Sequence, residues 1–482
     1  MSDMKSLAKD TAIYGLSSII GKFLNYLLVP LYTYKLASVA DYGIVTNLYA
    51  WTALLLVILT YGMETGFFRF ANREDYDAKS VYLTAFITLF ATSALFAILV
   101  LVFQHPIAGI MGYSAHPSFI TMMAATVAAD AFASIPFAYL RQQKRPLVFM
   151  ALKLLFVLLN IGFNVLFLVV LHKTDVYYVF LSNILATAIQ TLCLMPFTFP
   201  KGGRFSLPIL GDMLRYSLPL LVLGVAGIMN QTLDRILFPY LYRGADAQMQ
   251  LGIYGACFKV AMVMMMFTQA FRYAYEPFVF AKHKDRNSVE ACADGMKYYI
   301  IFSYLILLGM IFYLDIFKFI INKSYWEGLK IVPIVLWTYV FQGVYFNLSF
   351  WYKLTDETKW GAYFSLIGLV ITLTIQVLCV PIIGYWASCG SSFVCYLVIM
   401  LLSYFIGQEE APIPYDLKSI GKYTLLTLLL LGAYYALRYR LNLHMWQSMV
   451  VGTIFICVYL VVLIRKDFPL SGLPVVGKYF KK

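Results

Sequence analysis

Uninterrupted apolar runs recur from one end of this sequence to the other. One of them, "VYLTAFITLFATSALFAILVLVF" at 81–103, contains no charged residue. A helix rises about 1.5 Å per residue, so roughly 20 such residues cross a hydrocarbon layer of about 30 Å. Backbone polar groups find no water in that layer, which leaves only helices or closed barrels. Barrel strands alternate apolar and polar residues, and these runs do not. Hydropathy places about 14 spans, near 11–34, 42–66, 81–103, 117–140, 148–171, 176–199, 213–240, 251–275, 293–316, 329–351, 360–381, 384–406, 420–438 and 446–464. Composition agrees: 61% of the 482 residues are hydrophobic and 13% charged, whereas soluble proteins carry about a quarter charged residues. The expected fold class is all-α, a polytopic membrane protein.

The N-terminal stretch "MSDMKSLAKDTAIYGL" has no small-residue cleavage site after a short apolar core and reads as a retained cytoplasmic start. With that end inside, the inner loops "FRFANREDYDAK", "RQQKRP", "KGGR", "AKHKDRN" and the tail "GKYFKK" hold most of the basic residues outside the spans. The net charge of +13 then faces an anionic leaflet and implies no nucleic-acid partner. No loop is long enough for a separate soluble domain. The seven cysteines are scattered without a CxxC pair, which favours neither a disulfide framework nor a zinc site. His105 and His116 share an outer loop without further ligands, so neither metal nor cofactor is expected. The sequons at Asn230, Asn322 and Asn347 are discounted, two of them lying within spans.

A repeat lies within the spans. "GLSSIIGKFLNYLLVP" (15–30) matches "GVAGIMNQTLDRILFP" (224–239) in polarity at a constant shift. Gly15 falls on Gly224, Ser18 on Gly227, Lys22 on Gln231, Asn25 on Asp234 and Pro30 on Pro239. The same shift lays "YGI" (42–44) on "LGI" (251–253), and one residue later "FRFANRED" (68–75) overlies "FVFAKHKD" (278–285). The pattern reads as a duplication of about six spans. An even number of spans leaves both copies in the same orientation, parallel repeats about an axis along the membrane normal. The expected division is an N-terminal lobe at 1–205, a C-terminal lobe at 206–408, and two further spans with a tail at 409–482.

Residues 15, 18, 22 and 25 share one helix face, as do their counterparts 224, 227, 231 and 234. Each face reads small, small, polar, polar. Ionisable groups this deep usually face a bundle interior or a wet cavity. Asp234 and Arg235 are adjacent and leave the helix about 100° apart, so each is expected to find its partner elsewhere. Asp130, mid-span, is a candidate partner for Lys22. Glu64, beside Arg69 and Arg73, is either a cavity carboxylate or an interfacial group. Asn230 is a polar neighbour on span seven, and Lys259 is placed to snorkel outward. Arg272 and Glu276, four residues apart, are expected to pair with each other.

"GLSSIIGKFLNYLLVPLYT", "YGMETGFFRFA" and "MNQTLDRILF" together resemble Wzx-type oligosaccharide flippases. These form the polysaccharide transport family of the multidrug/oligosaccharidyl-lipid/polysaccharide exporter superfamily. The resemblance implies two parallel six-helix lobes around a central, largely cationic cavity, plus two C-terminal helices. It implies transport in lipopolysaccharide or polysaccharide biosynthesis, with no enzymatic step. The cargo would be an undecaprenyl-diphosphate-linked oligosaccharide, moved from the cytoplasmic to the periplasmic leaflet of a bacterial inner membrane by alternating access. Both termini would be cytoplasmic. Lys22, Asn25, Gln231, Asp234 and Arg235 would line the cavity, Lys22 and Arg235 holding the diphosphate. Asp234 with Glu64 or Asp130 would balance those charges or bind a coupling H+ or Na+. A polysaccharide polymerase and chain-length machinery would be partners. Flippases of this superfamily often carry arginine in span one; Lys22 supplies a point charge instead of a bidentate fork. The alternative is a cation-coupled multidrug exporter, whose cationic cargo favours a more acidic cavity.

Overall fold

The computed structural model describes residues 20–21, 23–282 and 288–467. Twelve helices among them are long and apolar enough to cross a membrane. A thirteenth crossing results if Ala247–Val260 and Met262–Tyr273, bent by 46°, count as one. These helices fall on the expected runs from 42–66 onward; the expected first run, 11–34, lies largely outside the described residues. No strand occurs among the described residues.

In chain order the helices are α1 (Leu28–Lys35), α2 (Val39–Thr60), α3 (Met63–Ala71), α4 (Ala78–Val102), α5 (Gln104–Ile110), α6 (Pro117–Gln142), α7 (Pro146–Val165), α8 (Tyr177–Thr198), α9 (Leu207–Leu241) and α10 (Ala247–Val260). There follow α11 (Met262–Lys282), α12 (Ser288–Phe312), α13 (Leu314–Phe317), α14 (Val332–Leu348), α15 (Phe350–Leu354), α16 (Lys359–Ile383), α17 (Tyr385–Glu410), α18 (Leu417–Arg440) and α19 (Met445–Lys466). Helix α2 starts on a capping box: the Asp41 N–H donates to Ser38 Oγ and the Ser38 N–H to Asp41 Oδ2. It stops where Tyr61 and Gly62 turn left-handed, with φ of 34° and 69°, and the chain resumes as α3. Proline opens α6 and α7 at the first helical position, where no N–H is needed.

By mutual contact the chain forms two compact units. The first comprises the described part of Met1–Lys259 with Ser324–Gly328 and Trp360–Cys395. In it α6 packs between α4 and α8, and α9 runs along α2. Met63, Phe67, Val81, Ala85, Leu89, Ile135, Ala138 and Met213 form a core without exposure. Pro239 interrupts the ladder of α9, because it has no N–H for the carbonyl of Arg235 four residues back. Asn47 of α2 supplies the missing donor, its Nδ2 lying 2.7 Å from that oxygen. The Tyr113 hydroxyl in turn donates to Asn47 Oδ1 at 2.9 Å.

Helices α2 and α10 cross on glycines. A Cβ on Gly43 would overlap the carbonyl oxygen of Gln248 and stand 3.0 Å from the nitrogen of Gly252. A Cβ on Gly252 would overlap the carbonyl of Val39 and stand 3.1 Å from the nitrogen of Gly43. The shift that lays 42–44 on 251–253 lays Val39 on Gln248 and Gly43 on Gly252. The contact is therefore reciprocal under the sequence repeat, the signature of a two-fold relation.

The second unit comprises the described part of Val260–Lys323, Leu329–Lys359 and Tyr396–Lys482. Helix α12 is its centre, packed against α14, α18 and α19. Ion triads fasten α18 at both ends and α19 at one. At one end Lys297 of α12 meets Asp416, the N-cap of α18, at 3.3 Å, and Asp467, just past α19. At the other, Asp315 meets Lys318 at 3.0 Å and Arg438 of α18 at 2.8 Å. Burial alone would push the Asp467 carboxyl up, but Lys297 and Tyr423 bind it and hold it below its ordinary value. The Ser419 hydroxyl and N–H lower Asp416 too, assisted by Lys297. Lowered carboxylates contribute stability that is full above their ordinary range near about 4 and is lost as pH falls through the lowered values. Lys297→Met takes the cation from the half-buried Asp467, which keeps the Tyr423 hydroxyl, and should cost about 1–2 kcal/mol. The thermal midpoint in detergent is expected to fall by several degrees at neutral pH and by less in acid; an unchanged midpoint would refute the fastening.

Candidate functional site

The first unit contains a cavity of about 410 Å³. Its charged wall combines Asp130 of α6, Arg235 of α9 and Lys259 of α10, with Asn25 from the short helical segment (23–26) just before α1. Asn160 of α7, Asn183 of α8, Tyr32, Tyr42 and Tyr49 add to the polar lining, along with Thr46, Thr52, Thr126 and Thr232. Asn183 Nδ2 donates to the Tyr49 hydroxyl at 3.0 Å. Two cations and one carboxylate face the cavity among amides and hydroxyls, with the Asp234 carboxylate 3.4 Å behind Arg235, a lining suited to a polar ligand that carries charge.

Arg235 is held from three sides. Its Nη2 donates to the Gln231 carbonyl at 2.7 Å, and its guanidinium lies 4.6 Å from the Phe258 ring centroid. Its Nε stands 3.4 Å from Asp234 Oδ1. The expectation that these neighbours stay apart is thereby corrected. Their Cβ vectors diverge, but the long arginine stem bends back far enough to bring the charges into contact. That distance exceeds the roughly 2.7–2.9 Å of a charge-assisted hydrogen bond. The stronger bond to Asp234 comes from Tyr254, whose hydroxyl donates to Oδ2 at 2.5 Å.

Several of the sequence-selected residues stand away from this cavity. Asp234, with a side chain 3% exposed, lies behind the wall. Gln231 is exposed, its Nε2 3.5 Å from the Gly227 carbonyl, and Asn230 donates to the Ser365 carbonyl at 2.9 Å. Glu64 is ion-paired with Arg141 of α6 and is not among the residues lining this cavity. Arg272 pairs with Glu276 at 3.1 Å in the second unit, joined by Lys353 at 3.4 Å. Lys259 lines the cavity rather than snorkelling outward. Lys22 lies outside the described residues.

Sequence reasoning passed over Lys153. It sits in α7 with its Nζ 3.9 Å from the Phe137 ring centroid, electrostatically coupled to Asp130. The test that selected Lys22, a lone cation inside an apolar run, would also have selected it in "PLVFMALKLLFVLLN" (146–160).

A many-helix membrane bundle with a charged internal cavity is the build of a membrane transporter. Residues 7–275 match the family model described as polysaccharide biosynthesis protein, and the chain belongs to that family. In structure it is similar to the lipid II flippase MurJ in its inward closed conformation. The TM-score is 0.75 at 12% identity, covering 94% of this chain and 98% of that one. It is also similar to a multidrug resistance MATE family transporter of the MOP superfamily in its inward-facing conformation. There the TM-score is 0.66 at 13% identity, covering 83% and 97%. The MATE multidrug transporter DinF-BH is a further likeness, with a TM-score of 0.62 at 16% identity and coverage of 84% and 96%. These likenesses show a shared MurJ- and MATE-like fold. A comparison with curated protein sequences finds no match.

Proposed function

We propose that this protein is a flippase for an undecaprenyl-diphosphate-linked oligosaccharide. It works by alternating access between two repeat-related lobes, from the cytoplasmic to the periplasmic leaflet of a bacterial inner membrane, with both termini cytoplasmic. The observation that carries the reading is the cavity wall of Arg235 and Lys259 against Asp130, in a member of the polysaccharide biosynthesis family. A diphosphate and a row of sugar hydroxyls lose water in hydrocarbon without replacement. The wall offers them cations, amides and hydroxyls, while the polyprenyl tail stays in lipid. Arg235, with Lys22 and Lys259, holds the diphosphate. Asp130 balances the cations in the empty cavity, since Glu64 is committed to Arg141, and is the candidate group for a coupling cation.

The test is translocation in proteoliposomes. Lipid-linked oligosaccharide is expected to reach the outer leaflet, and Lys259→Gln to slow it about tenfold, the worth of one charged hydrogen bond. A multidrug exporter would instead drive efflux of a cationic dye and leave the glycolipid in place, which would overturn the reading.

A further inference from the structure

The second unit holds a cleft of about 430 Å³ between α18 and α19. Both walls run in the same order. On α18, Ser419, Lys422, Tyr423 and Leu426 are spaced to share one face. On α19, Val462 and Lys466 lie four apart, one above the other. Lys422 and Lys466 flank the mouth, at the end of the helix pair marked by Asp416 and Asp467. Leu426 and Val462 lie about a turn deeper. Neither lysine makes an ion pair among the described residues, whereas Asp467, which also borders the cleft, is bound by Lys297 and Tyr423. Its carboxylate therefore does little to offset the two lysines. A cationic mouth over an apolar floor at the edge of a membrane helix pair fits a phosphate headgroup with the start of an acyl chain.

We propose that this cleft is a binding site for an anionic bilayer phospholipid, with the phosphate held by Lys422 and Lys466 and an acyl segment lying along Leu426 and Val462. The site does not depend on what the protein transports. The probe is phosphatidylglycerol. Full-length protein is reconstituted in vesicles of phosphatidylcholine and phosphatidylglycerol, and native mass spectrometry counts the lipid retained on release. Wild type is expected to retain phosphatidylglycerol over phosphatidylcholine. Lys422→Gln with Lys466→Gln should cut that retention at least about fivefold, as loss of two headgroup cations requires. Leu426→Trp, filling the floor, should lower it too, while Lys418→Gln, outside the cleft, should not. The arginine pair Lys422→Arg with Lys466→Arg keeps the charge and should keep the lipid, which separates headgroup binding from folding. Undiminished retention in the glutamine pair overturns the proposal. So does preferential retention of a polyprenyl phosphate from mixed vesicles, which would assign the cleft to transported lipid.

Discussion

Arg235→Ala is expected to abolish detectable glycolipid translocation and also to lower the amount of protein in the membrane. The two losses have different origins. Asp234 is almost wholly buried, with Arg235 against one oxygen and the Tyr254 hydroxyl on the other. Removing the cation leaves a buried carboxylate with one neutral partner, a change that typically costs about 3–5 kcal/mol. That loss says nothing about cargo. The double variant Asp234→Asn with Arg235→Gln separates the effects, because no charge is stranded and the asparagine still accepts from Tyr254. Its abundance and thermal midpoint should return close to wild type. Translocation should remain roughly ten- to a hundredfold below wild type, matching about 1.5–3 kcal/mol for a hydrogen bond to a charged group. A double variant that flips glycolipid at the wild-type rate would reduce Arg235 to a structural counter-ion of Asp234.

The same pair shows where sequence reasoning reaches its limit. Helices, their order and their approximate ends were legible because lipid imposes one rule on every span, a run of about 20 apolar residues. Which side of a helix meets water inside the protein is decided by neighbours that sequence spacing does not identify. The small-small-polar-polar face led to Asp234 and Gln231, yet Arg235, about 100° round the helix, is the side chain that reaches the cavity. Lys259 faces inward because α10 crosses α2 closely and carries its last turn to the cavity wall, a consequence of glycines at 43 and 252 rather than of the lysine's depth. Glu64 found a cation on α6, far along the chain, that no local pattern announced. Asn47 had no motif at all. Its role follows from Pro239 on another helix, once the two are known to touch.

Gly43→Ala and Gly252→Ala are each expected to cost about 1–3 kcal/mol, the usual penalty of overpacking a site that cannot yield. Translocation should fall at least tenfold in both. The obstructing atom in either case is a backbone carbonyl, of Gln248 or Val39, so no rotamer change relieves it and the helices must separate. Because the contact is reciprocal, one separation makes room for both methyl groups. The double variant should therefore lose little more than either single one, a coupling opposite to the additivity of independent sites. Gly162→Ala and Gly227→Ala provide the control. Nothing lies within 4 Å of a Cβ at either position, and alanine is the better helix former by about 1 kcal/mol. Those variants should match or exceed wild-type stability and transport normally. Gly227 carries particular weight, since it is one of the small residues of the repeated face. If Gly227→Ala proved as damaging as Gly43→Ala, or if the two crossing variants were additive, the α2–α10 contact would not be the point where the repeats hold each other.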